Sequence, residues 1–143
     1  MDDYYLQKLS SQRLRKCYDV APPRVRQYLE AEVRHVAHRI SPSDIVLDLG
    51  CGYGRVMRDL AACARMVVGI DTSVASLDMA RGFLSGTPNY RLAGMDGAEL
   101  GFDDDFFDVV LCIQNGLSAF KRDQRTLVGE CLRVARPRIP GPQ

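Results

Sequence analysis

What this chain lacks narrows its function before any motif is read. No apolar run approaches the ~20 residues that a membrane-spanning helix needs. The first ten residues place two aspartates behind Met1, not the basic-then-apolar pattern of an export signal. There is no basic run either: residues 1–44 carry a balance of +2 and residues 45–143 one of −1. A nucleic-acid binder concentrates positive charge in a patch or stripe, so nucleic acid is not expected as a partner. The five cysteines, Cys17, Cys51, Cys63, Cys112 and Cys131, are odd in number and widely spaced, with no C-x-x-C pair. That is a poor disulfide framework and a poor zinc site. It suits small buried residues in a reducing cytoplasm. Only two histidines are present. His35 and His38 lie three apart without a third ligand nearby, so they read as solvated surface residues and no metal is expected.

What remains is an ordinary globular composition, 46% apolar and 26% charged, at a length that fits one domain. There is no internal repeat and no low-complexity segment. Residues 1–40 read as a helical cap, broken in two at Pro22-Pro23, with Pro23 placed for the first turn of the second helix. Val25, Tyr28, Leu29, Val33, Val36, Ala37 and Ile40 recur at the spacing of one helix face. After the Ser41-Pro42-Ser43-Asp44 turn the pattern becomes strand, helix, strand, helix: strands at 45–49, 66–70, 90–93 and 106–113, and helices at 55–63, 74–84 and 121–135. Short apolar strands alternating with helices predict an α/β core over 41–136, a doubly wound parallel sheet with helices on both faces. Residues 137–143 form a proline-rich tail.

The most informative stretch is Val46-Leu47-Asp48-Leu49-Gly50-Cys51-Gly52-Tyr53-Gly54-Arg55. A buried strand ends in a loop with three alternate glycines, and a helix follows. In open parallel sheets, ligands bind beyond the carboxyl ends of strands. The spacing is G-x-G-x-G, not the G-x-G-x-x-G of dinucleotide binding, and Asp48 stands two residues before the first glycine. A carboxylate there repels a pyrophosphate, which needs free N–H donors, but attracts a ligand bearing an ammonium and a sulfonium. Asp71 ends the second strand, 21 residues beyond Gly50, the interval at which an acid takes a ribose hydroxyl pair; the competing reading is a cap for the helix that follows. Asp96, after the third strand, offers an acceptor to an exocyclic amino group, although Asp before Gly is also a common turn.

With these acids in place the chain resembles the class I S-adenosylmethionine-dependent methyltransferases of the type 11/25 kind. The segments are VLDLGCGYGR at 46–55, VVGIDTS at 67–73, MDGAELGF at 95–102 and FDVVLCIQNGLSAF at 107–120. The resemblance implies a Rossmann-like fold, S-adenosyl-L-methionine as cofactor, S-adenosyl-L-homocysteine as product, and methyl transfer to a small-molecule acceptor by in-line displacement. It also implies roles for particular residues. Gly50, Cys51 and Gly52 would offer backbone to the methionine moiety, with Asp48 facing its amino group. Asp71 would hold the ribose and Thr72 would lie against the adenine, whose edge Asp96 and Gly97 would read. Cys112, Ile113 and Gln114 would line the sulfonium pocket. Asn115 and, in the helical cap, Tyr18 are acceptor candidates, with Tyr4, Tyr5 and Arg24 weaker ones. No general base is identified.

The end of the chain departs from the family. Pro137, Pro140 and Pro142 stand where a fifth strand is usual, and proline cannot donate to a ladder. The expectation is a four-stranded sheet of order 3-2-1-4 whose fourth strand is an unpaired apolar edge. Three explanations compete: a fragment of a longer methyltransferase, pairing of the edge in a homo-oligomer, or a terminal helix folded over it. The first is favoured. A cofactor-binding or interaction module without turnover is therefore the alternative function. A nicotinamide-dependent dehydrogenase is disfavoured by Asp48 and the glycine spacing.

Overall fold

A computed structural model describes residues 3–113 and 120–138. Its elements are α1 (Asp3–Asp19), α2 (Pro23–Ala37), β1 (Ile45–Leu49), α3 (Arg55–Ala61), β2 (Met66–Asp71), α4 (Val74–Phe83), β3 (Tyr90–Gly94), β4 (Val109–Leu111) and α5 (Gln124–Val134). The four strands form one sheet of order β3-β2-β1-β4, every pair parallel, as the sequence predicts.

Alternation along the central strands sorts the core into two layers. Val46 and Val67 face the layer that contains Val33, Met57, Leu60, Leu77 and Leu84, from α2, α3, α4 and the residue after α4. Leu47, Leu49, Val68 and Ile70 face the opposite layer with Leu100, Phe107, Phe120 and the α5 residues Leu127 and Val134. The sheet is thus covered on both sides, and the near-continuous apolar strands need that. Asp48 shares the parity of Val46, so a carboxylate points into the α3 layer just below the glycine loop. Its neighbour across the ladder is Gly69. A Cβ on Gly69 would stand 2.4 Å from the Met57 sulfur and 2.9 Å from the Cys51 sulfur, so only glycine lets the loop and α3 settle onto β2.

The helical cap divides where the prolines predict. Along α2, however, only Leu29 and Val33 are buried, whereas Val25 and Tyr28 are exposed at 45% and 64%. The inward stripe is narrower than the apolar spacing suggests. α1 packs along α4, pinned by a hydrogen bond of 2.6 Å between the buried hydroxyls of Ser11 and Ser76. No described helix is long and apolar enough to cross a membrane.

The expected extent of the fourth strand needs correction. It covers Val109–Leu111, not 106–113, because Phe106 and Phe107 leave the ladder for an aromatic cluster with Phe102 at centroid distances of 4.9–6.4 Å. The outer edge of Val109–Leu111 itself has no strand partner among the described residues, but the chain just before it is paired. Ala135 forms a parallel bridge with Phe107; the Phe107 amide donates to the Val134 carbonyl and the Arg136 amide to the Phe107 carbonyl. The register explains how this survives the prolines: Pro137 falls where a strand amide would face away from β4. Arg136 then pairs with Asp108 and Arg138 with buried Asp44, each at 2.9 Å.

Candidate functional site

The loop after β1 is shaped by left-handed backbone at Gly50, Gly52 and Gly54, with φ of 74°, 55° and 85°. Such angles are strained for residues with a side chain. At Gly54 an added Cβ would also press on Leu84 at 3.1 Å. The result is a tight turn whose amides point inward. Gly50 and Cys51 both donate to the Ile70 carbonyl at 2.9 Å, Gly54 donates to the Cys51 carbonyl at 2.9 Å, and Gly52 donates to the Asp71 carboxylate at 2.9 Å. The amides of Gly50, Cys51 and Gly52 are thus all satisfied within the protein. The Gly50 carbonyl receives no hydrogen bond among the described residues. With the Gly50, Cys51, Gly52 and Gly54 amides committed and an acceptor left over, the loop is poorly equipped to cradle a phosphate. It can receive an ammonium.

Asp71 braces both the loop and the entrance to α4. One carboxylate oxygen takes the Gly52 amide; the other takes the Ser73 amide at 2.9 Å, at the entrance to α4, where Ser73 itself caps the helix by accepting from Ser76. Each carboxylate oxygen retains a further lone pair, so a ribose hydroxyl can still be accepted. Asp48 is 4% exposed. Burial lifts its pKa to about 7, Arg55 opposes the rise, and Asp71 adds to it. Among the described residues its carboxylate has no hydrogen-bond donor. Burial also raises the Cys51 thiol, with Asp48 and then Asp71 adding to the effect, so Cys51 is a neutral wall residue and not a nucleophile.

These groups line one cavity of about 330 Å³, within the usual size range of small-molecule sites. Of the predicted residues it brings together Asp48, Gly50, Cys51, Gly52, Asp71, Ile113 and Tyr18. Thr72, Asp96 and Gly97 stay outside its lining. Thr72 is exposed. Asp96 accepts from the Ala98 amide at 2.9 Å and pairs with Arg122 at 2.8 Å, interactions that hold its pKa below the usual carboxylate value, the Ala98 bond foremost. Gly97 is buried because a Cβ would meet Leu127, Leu49 and Phe120 at 3.1–3.2 Å. Arg24 is exposed and off the cavity. Gln114, Asn115 and the side chains of Tyr4 and Tyr5 lie outside the described residues.

Sequence reasoning named only Tyr18 among the described α1 residues that roof the cavity. Gln7, Ser11, Leu14 and Tyr18 reach it from one face of α1, at spacings of three and four. That periodicity was readable, but nothing in it says that the face meets the glycine loop. Arg55, the first residue of α3, was also missed. It sets its guanidinium 4.5 Å from the Tyr18 ring centroid and 3.9 Å from Glu32. No cluster of three or more metal-ligating side chains occurs among the described residues.

Comparison with known proteins agrees with this geometry. A family model described as a methyltransferase domain matches residues 46–138. The demethylmenaquinone methyltransferase of Clavibacter sepedonicus is 37% identical over 92 residues, 64% of this chain and 37% of that protein. The ubiquinone biosynthesis O-methyltransferase of Hahella chejuensis (strain KCTC 2396) is 36% identical over 100 residues, 67% of this chain and 40% of that protein. This chain thus spans about two fifths of the length of these curated relatives. Among solved structures, a Haloferax volcanii methyltransferase in complex with its activator superposes with a TM-score of 0.75 at 25% identity, over 96% of this chain and 57% of that one. The chain belongs to the methyltransferase domain family, whose cofactor is S-adenosylmethionine.

Proposed function

We propose that the chain binds S-adenosylmethionine in the cavity between the glycine loop and α1 and transfers its methyl group to a small-molecule acceptor. The observation that carries this reading is the pairing of a donor-spent loop with a buried carboxylate. The amides of Gly50, Cys51, Gly52 and Gly54 are committed, while Asp48 and the Gly50 carbonyl await a cation. S-adenosylmethionine supplies a methyl group on a sulfonium, so attack by an acceptor atom forms the new bond as the old C–S electron pair returns to sulfur.

The protein's share is placement. Asp48 counters the positive charge of the cofactor, Asp71 takes the ribose hydroxyls on its free lone pairs, and Ile113 closes the wall at the end of β4. The roof from α1 limits water access. Holding two reactants in line is worth up to ~7–11 kcal/mol in favourable cases, and no covalent enzyme intermediate is required. The curated relatives act in quinone biosynthesis by name, which supports a small organic acceptor over a macromolecule.

Calorimetric titration of S-adenosylhomocysteine, beside NADH as the control, tests the cofactor. Labelled-methyl transfer into small molecules of a cell extract tests turnover. Micromolar binding of the first ligand alone, with label entering the small-molecule fraction, is the expected result. Equal binding of NADH would overturn the cofactor reading. Cofactor binding with no transfer would favour a binding module.

A further inference from the structure

A second cavity, of about 670 Å³, opens between the end of α1, the inner face of α2, α3 and the end of α4. It is separate from the cofactor cavity, yet Tyr18, Tyr53 and Arg55 line both. Its chemistry is uneven. Leu29, Val33 and Ala37, four residues apart on α2, give it an apolar floor. Around that floor stand Arg26, Arg34, Arg55 and Arg58, against Asp19, Glu30 and Asp59. With Arg55 also paired to Glu32, four guanidiniums stand against four carboxylates, so a bound anion depends on the individual guanidiniums that lack a partner.

The aromatic rings dispose of part of this charge in a definite way. Arg58 lies over Phe83 at 4.3 Å, as Arg55 does over Tyr18. A guanidinium laid on a ring keeps its in-plane N–H donors, and those donors form the fork that grips a carboxylate. Arg55 is already shared with Glu32, and Arg26 donates to the Asp19 carbonyl. Arg26, Arg34 and Arg58 are exposed and form no ion pair with a carboxylate among the described residues; Arg26 is held by the Asp19 carbonyl, which leaves Arg34 and Arg58.

We propose that this second cavity is the acceptor site and that the acceptor is a carboxylate carried on an apolar body. Arg34 and Arg58 hold the carboxylate, and the α2 stripe holds the body. The inference rests on the methyltransferase reading, because the shared wall of Tyr18, Tyr53 and Arg55 makes the cavity an acceptor site only if the neighbouring cavity holds the methyl donor.

The test uses the full chain saturated with S-adenosylhomocysteine and two probes of the same shape, 2-naphthoate and its uncharged amide, 2-naphthamide. Naphthoate should bind at least about tenfold tighter than the amide, the order of effect of a charge-assisted pair. Arg34→Met and Arg58→Met should each weaken naphthoate by about tenfold and leave S-adenosylhomocysteine affinity unchanged. Equal binding of the two probes to the wild type, or none, overturns the proposal without any variant. So do variants that bind naphthoate as the wild type does. If S-adenosylhomocysteine itself fails to bind, the methyltransferase reading falls first and takes the acceptor role with it.

Discussion

The carboxylate of Asp71 accepts the Gly52 amide at 2.9 Å, across 19 residues of sequence, and thereby ties the end of β2 to the glycine loop above β1. Its other oxygen holds the Ser73 amide at the head of α4. One side chain therefore shapes the loop and faces the cavity. Asp71→Ala should weaken S-adenosylhomocysteine by about 100-fold or more, through lost charge-assisted hydrogen bonds and a relaxed loop. Asp71→Asn keeps one acceptor oxygen and should lose less. Calorimetry on both variants checks the order; equal affinity in all three proteins would remove Asp71 from the site.

Asp48 makes stability and binding depend on pH. Its folded pKa of about 7 lies above the ordinary 3.8, so the folded state keeps its proton where the unfolded state has lost it. Stability should then fall as pH rises from about 4 to 7, by up to about 4 kcal/mol, and level off above. Asp48→Asn should flatten that slope in urea melts. A cationic ligand favours the ionised form, so S-adenosylmethionine binding should release a proton near pH 6 and tighten as pH rises to about 7. Titrations at pH 6 in buffers of different ionisation enthalpy measure the release; identical heats would contradict it.

The hydroxyl pair of Ser11 and Ser76 holds α1 over the cavity. Replacing either serine by alanine leaves the other buried hydroxyl unpaired, at a cost of about 1–3 kcal/mol. The double variant should cost less than the sum of the two, because the orphaned partner is gone as well. Chemical denaturation of the four proteins yields the coupling; strict additivity would mean the contact contributes nothing.

Gly69→Ala tests the seating of α3 on the sheet. The new methyl group runs into the Met57 sulfur, and overpacking of this kind costs about 1–3 kcal/mol. In a Met57→Ala background, where the obstructing side chain is removed, the same change should cost less. An equal cost in both backgrounds would point to the Cys51 side as the tighter contact.

Some features were legible because they depend on local order alone. The parallel α/β pattern, the proline break between α1 and α2, and the glycine loop after β1 follow from apolar runs and backbone restrictions read a few residues at a time. Asp71 was legible as an acid at a strand end facing the crevice; the cap of α4 falls to Ser73, and Asp71 instead holds the Gly52 and Ser73 amides. Asp96 was harder. An Asp before a Gly looks the same whether it faces a ligand or, as here, Arg122, a partner 26 residues away.

By itself the sequence determined which elements form and in what order they alternate, because hydrophobic period and glycine or proline geometry act over short range. Tertiary structure alone decided where the loop amides point, which α1 residues line the cavity, that residues 134–136 reach Phe107 just before β4, and that Arg34 and Arg58 line one cavity. Those outcomes depend on long-range packing and on which partner satisfies each polar group first, and no local pattern encodes either.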